Sequence, residues 1–442
     1  MTLQIPLPHS KKGPYKGNVW PIFIKDMEKL KSTPTVECLE QTILKYINRS
    51  TLNPSKNFNL RNLREILTDD QCLELMPSVA DFALKLPDLF PEGTIQCLER
   101  DKVAKLELTR EQVACLLAHM FFCTILVDKD LARTHCGHFT GARAPTGPVT
   151  FVHWLYRDGF GPTFVYLSSL LLYFEHAKNF SDEVLSEKVT FERLVSDITD
   201  RSWEPTGSSL KIVDVEVHLD GRIGDIEQVE VDFANQYVGF GTTGTQEELL
   251  LGTSPEFCVV VLVNEVLNPN EALLMTGAKR YGDYTGYGRS TSFTGPFVGD
   301  WNWNERKIIA IDAICGPKNQ LGDNVMMREL CKAWTGFRSV PGSSVSTGHW
   351  GCGAFGGDQN IKCLVQVLAA SLAGVNKLDF YSFGDKDFCD SFQAAMAEMK
   401  GKTVGWLWEK ILEFRNNQSV GVNGGKLHHY ILDYIGQRNT AT

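Results

Sequence analysis

Two adjacent carboxylates, Glu247 and Glu248, open a helix-like segment directly after a glycine-rich turn in the run VDFANQYVGFGTTGTQEELL, residues 231–250. Glycines at a strand-to-helix turn let backbone N–H groups approach a phosphate, and the helix N-terminus adds partial positive charge there. A carboxylate in the same turn can move a proton on whatever the phosphate carries. The pattern suggests hydrolysis of a phosphate-bearing substrate, with the phosphate as handle and the carboxylate as actor. A tight turn followed by a solvated helix end accounts for the same residues, because glutamates are favoured in any first helical turn.

Two further loops carry candidate chemistry. In GHWGCGAFGGD, Gly348–Asp358, five of eleven residues are glycine. That density costs backbone entropy and makes sense where a backbone wraps an anion. A flexible connector is the alternative, although Trp350, Cys352 and Phe355 are not linker residues. In YGDYTGYG, Tyr281–Gly288, tyrosines among glycines can clamp a base or a sugar, or can simply pack on the core. Phe383 closes a strand before Gly384-Asp385 and faces either a ligand or the core. His135, Cys136 and His138 are metal-capable but match no zinc spacing. His428 and His429 are neighbours and point apart. No GxSxG, GxxxxGK[ST] or HExxH motif occurs, so a serine nucleophile has no support.

The elements that must position these loops change character along the chain. Residues 1–205 read as mostly helical, with helix-spaced apolar residues over Thr35–Ile47, Leu60–Leu67, Asp70–Leu84, Thr109–Val127 and Thr163–His176. Thr109 with Gln112 resembles a capping box. After about Gly207, strands are expected at Lys211–Val217, Ile226–Phe233, Ala272–Met275, Ile308–Ile314 and Leu378–Phe383. Helices are expected at Asn324–Trp334, Ile361–Ala373, Asp387–Lys400 and Thr403–Asn416, and at Pro255–Leu267, where the β-rich Val259–Val263 leaves a buried strand as the alternative but the run continues to a stop at Asn268-Pro269. Alternating strands and helices imply an α/β fold with ligand loops at strand carboxyl ends.

Composition bounds the function. At 442 residues the chain is long enough for two or three domains. A net charge of −9 argues against a broad nucleic-acid face. The longest apolar runs, Val113–Val127 and Phe164–Phe174, fall short of the roughly 18 residues of a membrane span. The N-terminal residues do not form an apolar signal, and twelve cysteines without a CxxC pair suit reduced, buried thiols in the cytosol or nucleus.

Together the segments VDFAN (231–235), QEE (246–248), TGAKRYGDYTGYG (276–288), IAIDA (309–313), TGHWGCGAFGGD (347–358) and FYSFGD (380–385) resemble the poly(ADP-ribose) glycohydrolase family of animals and protists. LTREQVACLLAHMFFCT (108–124) resembles that family's helical accessory domain. The resemblance runs in order from roughly residue 40 to the C-terminal helices. It implies a three-layer α/β/α macrodomain with a mixed sheet at 207–442 and an N-terminal helical accessory domain at 1–206. It implies cleavage of ribose–ribose O-glycosidic bonds in poly(ADP-ribose), with release of ADP-ribose and with neither metal nor other cofactor.

Carried onto this chain, the resemblance makes Glu248 the general acid/base and has Glu247 orient the scissile ribose. Asp232 and Asn235 would hold the catalytic loop and the distal ribose, with Gln246 beside them at the substrate. Gly239, Phe240, Gly241 and the second loop (Gly351, Cys352, Gly353, Ala354, Phe355 and Gly356) would meet the diphosphate. Tyr287 would cover the ligand, Phe355 and Phe383 would pack at the distal ribose, and Ile223 with Asp225 would lie at the adenine. The implied partners are poly(ADP-ribose) and ADP-ribosylated proteins, met by a monomer in the nucleus, the cytoplasm or both, in the response to DNA damage. No direct DNA binding and no membrane are expected.

Two departures stand out. The family's glycine triplet is here Gly239-Phe240-Gly241, and only Thr242–Thr245 separate it from Gln246. A phenylalanine is therefore expected where backbone should meet phosphate. His349 stands where the family usually has asparagine. These departures leave two other readings open. One is a module that binds ADP-ribose or poly(ADP-ribose) with little or no turnover; the other is a hydrolase of another ADP-ribose derivative.

Overall fold

The computed structural model describes residues 3–11, 15, 19–47, 60–126, 150–156, 161–197, 205–418 and 431–436. The His135–His138 cluster and the His428-His429 pair lie outside the described residues.

In chain order the strands are β1 (Gln4–Pro6), β2 (Thr94–Gln96), β3 (Ala104–Thr109), β4 (Lys188–Val195), β5 (Asp214–His218) and β6 (Val229–Asp232). They continue with β7 (Glu271–Thr276), β8 (Gly282–Thr285), β9 (Ser292–Pro296), β10 (Lys307–Ala310), β11 (Ser344–Gly348) and β12 (Lys377–Tyr381). Eight of them form one sheet in the order β3-β4-β7-β10-β6-β11-β12-β5. From β10 to β5 all neighbours are parallel. From β10 to β3 all are antiparallel. The carboxyl ends of five parallel strands therefore lie side by side, the usual place for ligand loops.

The sheet is the middle of three layers. On one face Val231, Ile309, Val345 and Leu378 pack with Phe337, Leu364, Phe392 and Leu407 from the helices Asp323–Phe337, Gln359–Ala373, Lys386–Met399 and Val404–Gln418. On the other, Leu273, Met275 and Ile308 pack with Leu117, Tyr166, Leu251 and Phe257. A sheet covered on both faces explains why β6 is buried along its whole length. Its Glu230 is neutralised by Arg306 at 2.6 Å.

The described N-terminal region is mostly helical, as expected, and also supplies strands to the sheet. The helices Val36–Ile47, Asp69–Leu84, Arg110–Phe121 and Pro162–Ala177 are present. The Thr109 capping box also forms, with Gln112 N donating to Thr109 Oγ1 at 3.0 Å and Thr109 N donating to Gln112 Oε1 at 2.9 Å. Yet β3 and β4 also come from this region and complete the antiparallel edge of the sheet. The strand character of β4 is masked by Arg193, which sits fully buried in line with Val189 and Phe191. Its charge is met by Glu271 at 2.6 Å, so a core position looks polar in the sequence.

Two other segments are corrected. The expected strand at Ile308–Ile314 is regular only as far as Ala310. YGDYTGYG is not a loop but β8 and the turn of a hairpin with β9. Pro255–Leu267 is helical over Pro255–Val263, first as a 3-10 turn and then as an α-turn, and every residue of that stretch is buried. Complete burial accounts for its β-branched composition.

Candidate active site

A cleft of about 720 Å³ opens at the carboxyl ends of β5, β6, β10, β11 and β12. Its volume suits a nucleotide-sized ligand. Gly221, Arg222, Ile223, Phe233, Ala234, Asn235, Ala313, Gly348, His349, the loop from Gly351 to Phe355, and Phe383 reach it from the ends of these strands.

The first loop leaves β6 at Asp232 and enters the helix Gln246–Thr253. Three consecutive side chains at the start of that helix fasten the loop to itself. Gln246 Oε1 accepts from Phe233 N at 2.8 Å, and its Nε2 donates to Val231 O at 3.0 Å. Glu247 accepts from Asn235 N at 3.0 Å and from Gly239 N at 2.9 Å, one on each carboxylate oxygen. Glu248 Oε2 accepts from Thr243 N (2.7 Å), Thr243 Oγ1 (2.8 Å), Gly244 N (2.7 Å) and Thr245 N (3.3 Å). The other oxygen, Oε1, lies against Gly241, where an added Cβ would stand only 1.9 Å away. All three side chains also line the cleft. Glu247 was expected to orient a ribose; both of its oxygens already clasp the loop.

Asp232 was expected to hold that loop. Its side chain is fully buried outside the cleft lining, and neither carboxyl oxygen has a hydrogen-bond partner among the described residues. Burial, with Glu247 and Glu230 nearby, pushes its carboxyl well above the usual range. Asn235, expected to share that task, accepts on its Oδ1 from Tyr237 N at 3.1 Å and lines the cleft.

Phe240 and Gly239 are not at the ligand site. Phe240 is buried, with its ring 5.0 Å from Phe151 and 4.9 Å from Trp154. The loop turns this side chain into the helical region, so it does not intrude on the cleft. Gly239 faces Val261, whose Cγ1 would lie 2.9 Å from an added Cβ. Only Gly241 of the triplet meets the cleft.

The second glycine loop follows β11 and ends at Asp358, whose Oδ1 caps the helix Gln359–Ala373 by accepting from Asn360 N at 2.9 Å and Ile361 N at 3.3 Å. Gly351, Cys352, Gly353, Ala354 and Phe355 line the cleft; Gly356 does not. Gly351 and Gly356 adopt φ of +71° and +69°, a region that favours glycine. Burial raises the Cys352 thiol pKa well above its ordinary value.

Aromatic side chains border the opening. Tyr287, 43% exposed, meets Phe383, 66% exposed, edge-on at 5.4 Å. Phe383 holds φ of +55°, a conformation uncommon for a bulky residue and worth finding at a binding site. The Tyr287 turn is docked on the first loop, with Gly288 N donating to Gly244 O at 3.0 Å. His349 lines the cleft, and its Nε2 pairs with the Ser382 carbonyl at 3.0 Å. A carbonyl only accepts, so Nε2 carries the proton. Burial holds this imidazole below its ordinary pKa. Ile223 lines the cleft; Asp225 does not, and it is engaged with Arg222 at 3.0 Å.

Arg222, Arg280, Arg306 and Glu230 also stand in the cleft wall, none of them expected from the sequence, together with Tyr284 of the tyrosine-glycine segment. Arg222 lies over the Tyr284 ring at 4.2 Å. For Glu230 the available signal was a charge between Val229 and Val231; the arginines lie in polar stretches that mark nothing. His153, also in the wall, and Trp154 come from the helical region. Among the described residues, Glu216, His218 and Asp379 are close enough to share a cation, but they lie outside the cleft lining. The Lys377 ammonium already sits on Glu216 (2.6 Å) and Asp379 (3.0 Å).

This geometry is carried by a known sequence pattern. Residues 201–390 match the family described as poly(ADP-ribose) glycohydrolase (PARG), Macro domain fold, and residues 68–193 match the same family's helical domain. The chain belongs to the poly(ADP-ribose) glycohydrolase family.

Within the family, it is 26% identical over 424 residues to the probable poly(ADP-ribose) glycohydrolase 2 of Arabidopsis thaliana, covering 78% of both chains. It is 26% identical over 512 residues to the poly(ADP-ribose) glycohydrolase 1 of the same plant, covering 92% of this chain and 90% of that one. To the poly(ADP-ribose) glycohydrolase 1 of Caenorhabditis elegans it is 28% identical, covering 86% of this chain and 48% of the relative. The mixed sheet between its two helical layers thus belongs to the macrodomain fold, with its edge strand β3 and most of β4 drawn from the residues that match the family's helical domain.

Proposed function

We propose that this chain hydrolyses the ribose–ribose O-glycosidic bond of poly(ADP-ribose) and releases ADP-ribose, with Glu248 as general acid and then base. The observation that carries this reading is the asymmetric setting of the Glu248 carboxylate. Oε2 is immobilised by four donors, while Oε1 lies against a bare glycine in a nucleotide-sized cleft. A side chain fixed in this way holds a proton on Oε1 in one direction without reorganisation at the moment of reaction.

A glycosidic oxygen leaves poorly until it is protonated. Glu248 gives its proton to that oxygen as the anomeric C–O bond breaks, and the bonding electrons leave with the oxygen. Water then adds to the oxocarbenium-like carbon and returns a proton to Glu248. One carboxylate with a water differs from the two opposed carboxylates of most glycosidases. Asp232, buried and outside the cleft lining, does not supply a second. The substrate's bound diphosphate shares the task of steadying the cation.

The division at 206/207 is kept as an organisational proposal, since the sheet itself crosses it. Poly(ADP-ribose) and ADP-ribosylated proteins are the proposed partners of a monomer in the nucleus, the cytoplasm or both, in the DNA damage response. The net charge of −9 supports the absence of direct DNA binding. Among the described residues, no helix is long and apolar enough to cross a membrane. Incubation with purified poly(ADP-ribose) and chromatography of the products tests the activity. ADP-ribose should accumulate, and polymer left intact under conditions where ADP-ribose binds would replace the enzyme with a binding module.

A further inference from the structure

The loop Gly351–Gly357 carries no cationic side chain. The three arginines of the cleft wall are already engaged: Arg222 with Asp225 (3.0 Å) and Asp283 (2.5 Å), Arg280 with Asp283 (2.6 Å), and Arg306 with Glu230 (2.6 Å). A diphosphate on this loop would find backbone N–H groups and a helix N-terminus, but no directly facing positive charge from these residues.

Beneath the loop lies a buried ionic cluster. Asp312 pairs with Arg328 and, at 2.6 Å, with Lys332; Glu329 pairs with Arg328 at 3.1 Å and with Lys362. Three cations thus face two carboxylates. Lys362 Nζ is 3.7 Å from the centroid of the Trp350 ring. The loop rests directly on the lysine side chain. A Cβ on Gly351 would stand 3.3 Å from Lys362 Nζ, and one on Gly357 would stand 3.2 Å from its Cε. Gly357 N donates to Gly351 O at 2.9 Å, closing the loop over the lysine. The same cluster reaches the exit of β10, since Ile314 N donates to Glu329 at 2.8 Å and Arg328 donates to Asp312 O at 2.6 Å. Burial, with Arg328 nearby, pulls the lysine pKa well down; contact with Glu329 and with the face of Trp350 favours the charged form.

We propose that Lys362 is a positioning residue for the substrate diphosphate, holding the Gly351–Gly357 loop in shape from beneath and supplying positive charge through it. This rests on the reading of the cleft as an ADP-ribose site. Charge placed behind a glycine backbone acts at short range in a poorly solvated region, where an ion–ion interaction exceeds its value in water several-fold. It does so without a side chain that would crowd the ligand.

The test is calorimetric binding of ADP-ribose and of adenosine, which lacks the diphosphate, to wild type, Lys362→Met and Lys362→Arg, with thermal melting of each. Lys362→Met keeps the stem and removes the charge. ADP-ribose affinity should fall about tenfold or more, adenosine affinity should stay unchanged, and Lys362→Arg should recover part of the loss. Equal weakening of both ligands, or no weakening, would overturn the assignment. Should Lys362→Met unfold, Lys362→Gln carries the same comparison. Wild type that binds no ADP-ribose would overturn the reading of the cleft and this inference with it.

Discussion

The indole N–H of Trp154 donates to the carbonyl oxygen of Gly241 at 2.9 Å. A tryptophan from the helical region therefore holds the glycine against which Glu248 Oε1 rests. The helical layer thus reaches the geometry proposed for catalysis. Trp154→Phe keeps most of the aromatic packing with Phe151 and Phe240 and leaves a part-buried carbonyl without its donor, at a cost of about 0.5–1.5 kcal/mol. Steady-state kinetics on poly(ADP-ribose) should show kcat reduced roughly tenfold or more, because small displacements of reacting groups are expensive. Unchanged kcat would detach the helical region from catalysis.

Gly241→Ala tests the same contact from the other side. The new methyl would stand 1.9 Å from Glu248 Oε1, so the carboxylate or the loop must move. Turnover should fall by about a hundredfold, while circular dichroism shows a folded protein. An alanine variant of near wild-type rate would mean that Oε1 does not act from this position.

Phe240 stands where the family's loop is usually glycine, yet its ring packs against the stacked pair Phe151 and Trp154. Phe240→Ala should open a cavity costing about 3–5 kcal/mol in denaturant unfolding. It should not raise the rate of hydrolysis, because the side chain does not obstruct the cleft. Faster turnover in Phe240→Ala would return this residue to the ligand site.

His119 provides a pH dependence in the helical region. Its ring is fully buried, with Nδ1 2.7 Å from Thr124 Oγ1 and Nε2 2.9 Å from Ala83 O. Burial lowers its pKa from 6.5 to about 3, outweighing the Ala83 carbonyl that raises it. The unfolded chain therefore binds this proton first. Its contribution to stability is fully present above about pH 6.5 and is lost as the pH falls towards 3, at no more than about 1.4 kcal/mol per pH unit. Urea unfolding across that window should show the slope, and His119→Gln should flatten it. An equal slope in both proteins would assign the acid sensitivity to other groups.

Much of the site was legible because it is local. The turn from β6 into the Gln246 helix and the second glycine loop each lie within a short stretch, where glycine density and adjacent carboxylates are visible in order. What was not legible depends on partners far along the chain. Phe240 could be assigned to the ligand or to the core only once Phe151 and Trp154 were in place. Glu247 looked free to bind sugar because its acceptors' donors, Asn235 N and Gly239 N, are backbone groups that leave no trace in side-chain type. β4 looked unlike a buried strand because Arg193 occupies a core position that only Glu271, brought in by β7, makes tolerable. The cleft arginines were overlooked for the same reason, since each pairs with a carboxylate that the fold supplies.

The most direct measurement of the central claim compares wild type with Glu248→Gln in two assays, ADP-ribose release from poly(ADP-ribose) and calorimetric binding of ADP-ribose. The glutamine variant should lose at least about a thousandfold in rate and bind ADP-ribose within a few-fold of wild type. Turnover by Glu248→Gln at a rate close to that of wild type would contradict it and move the proton chemistry to another residue.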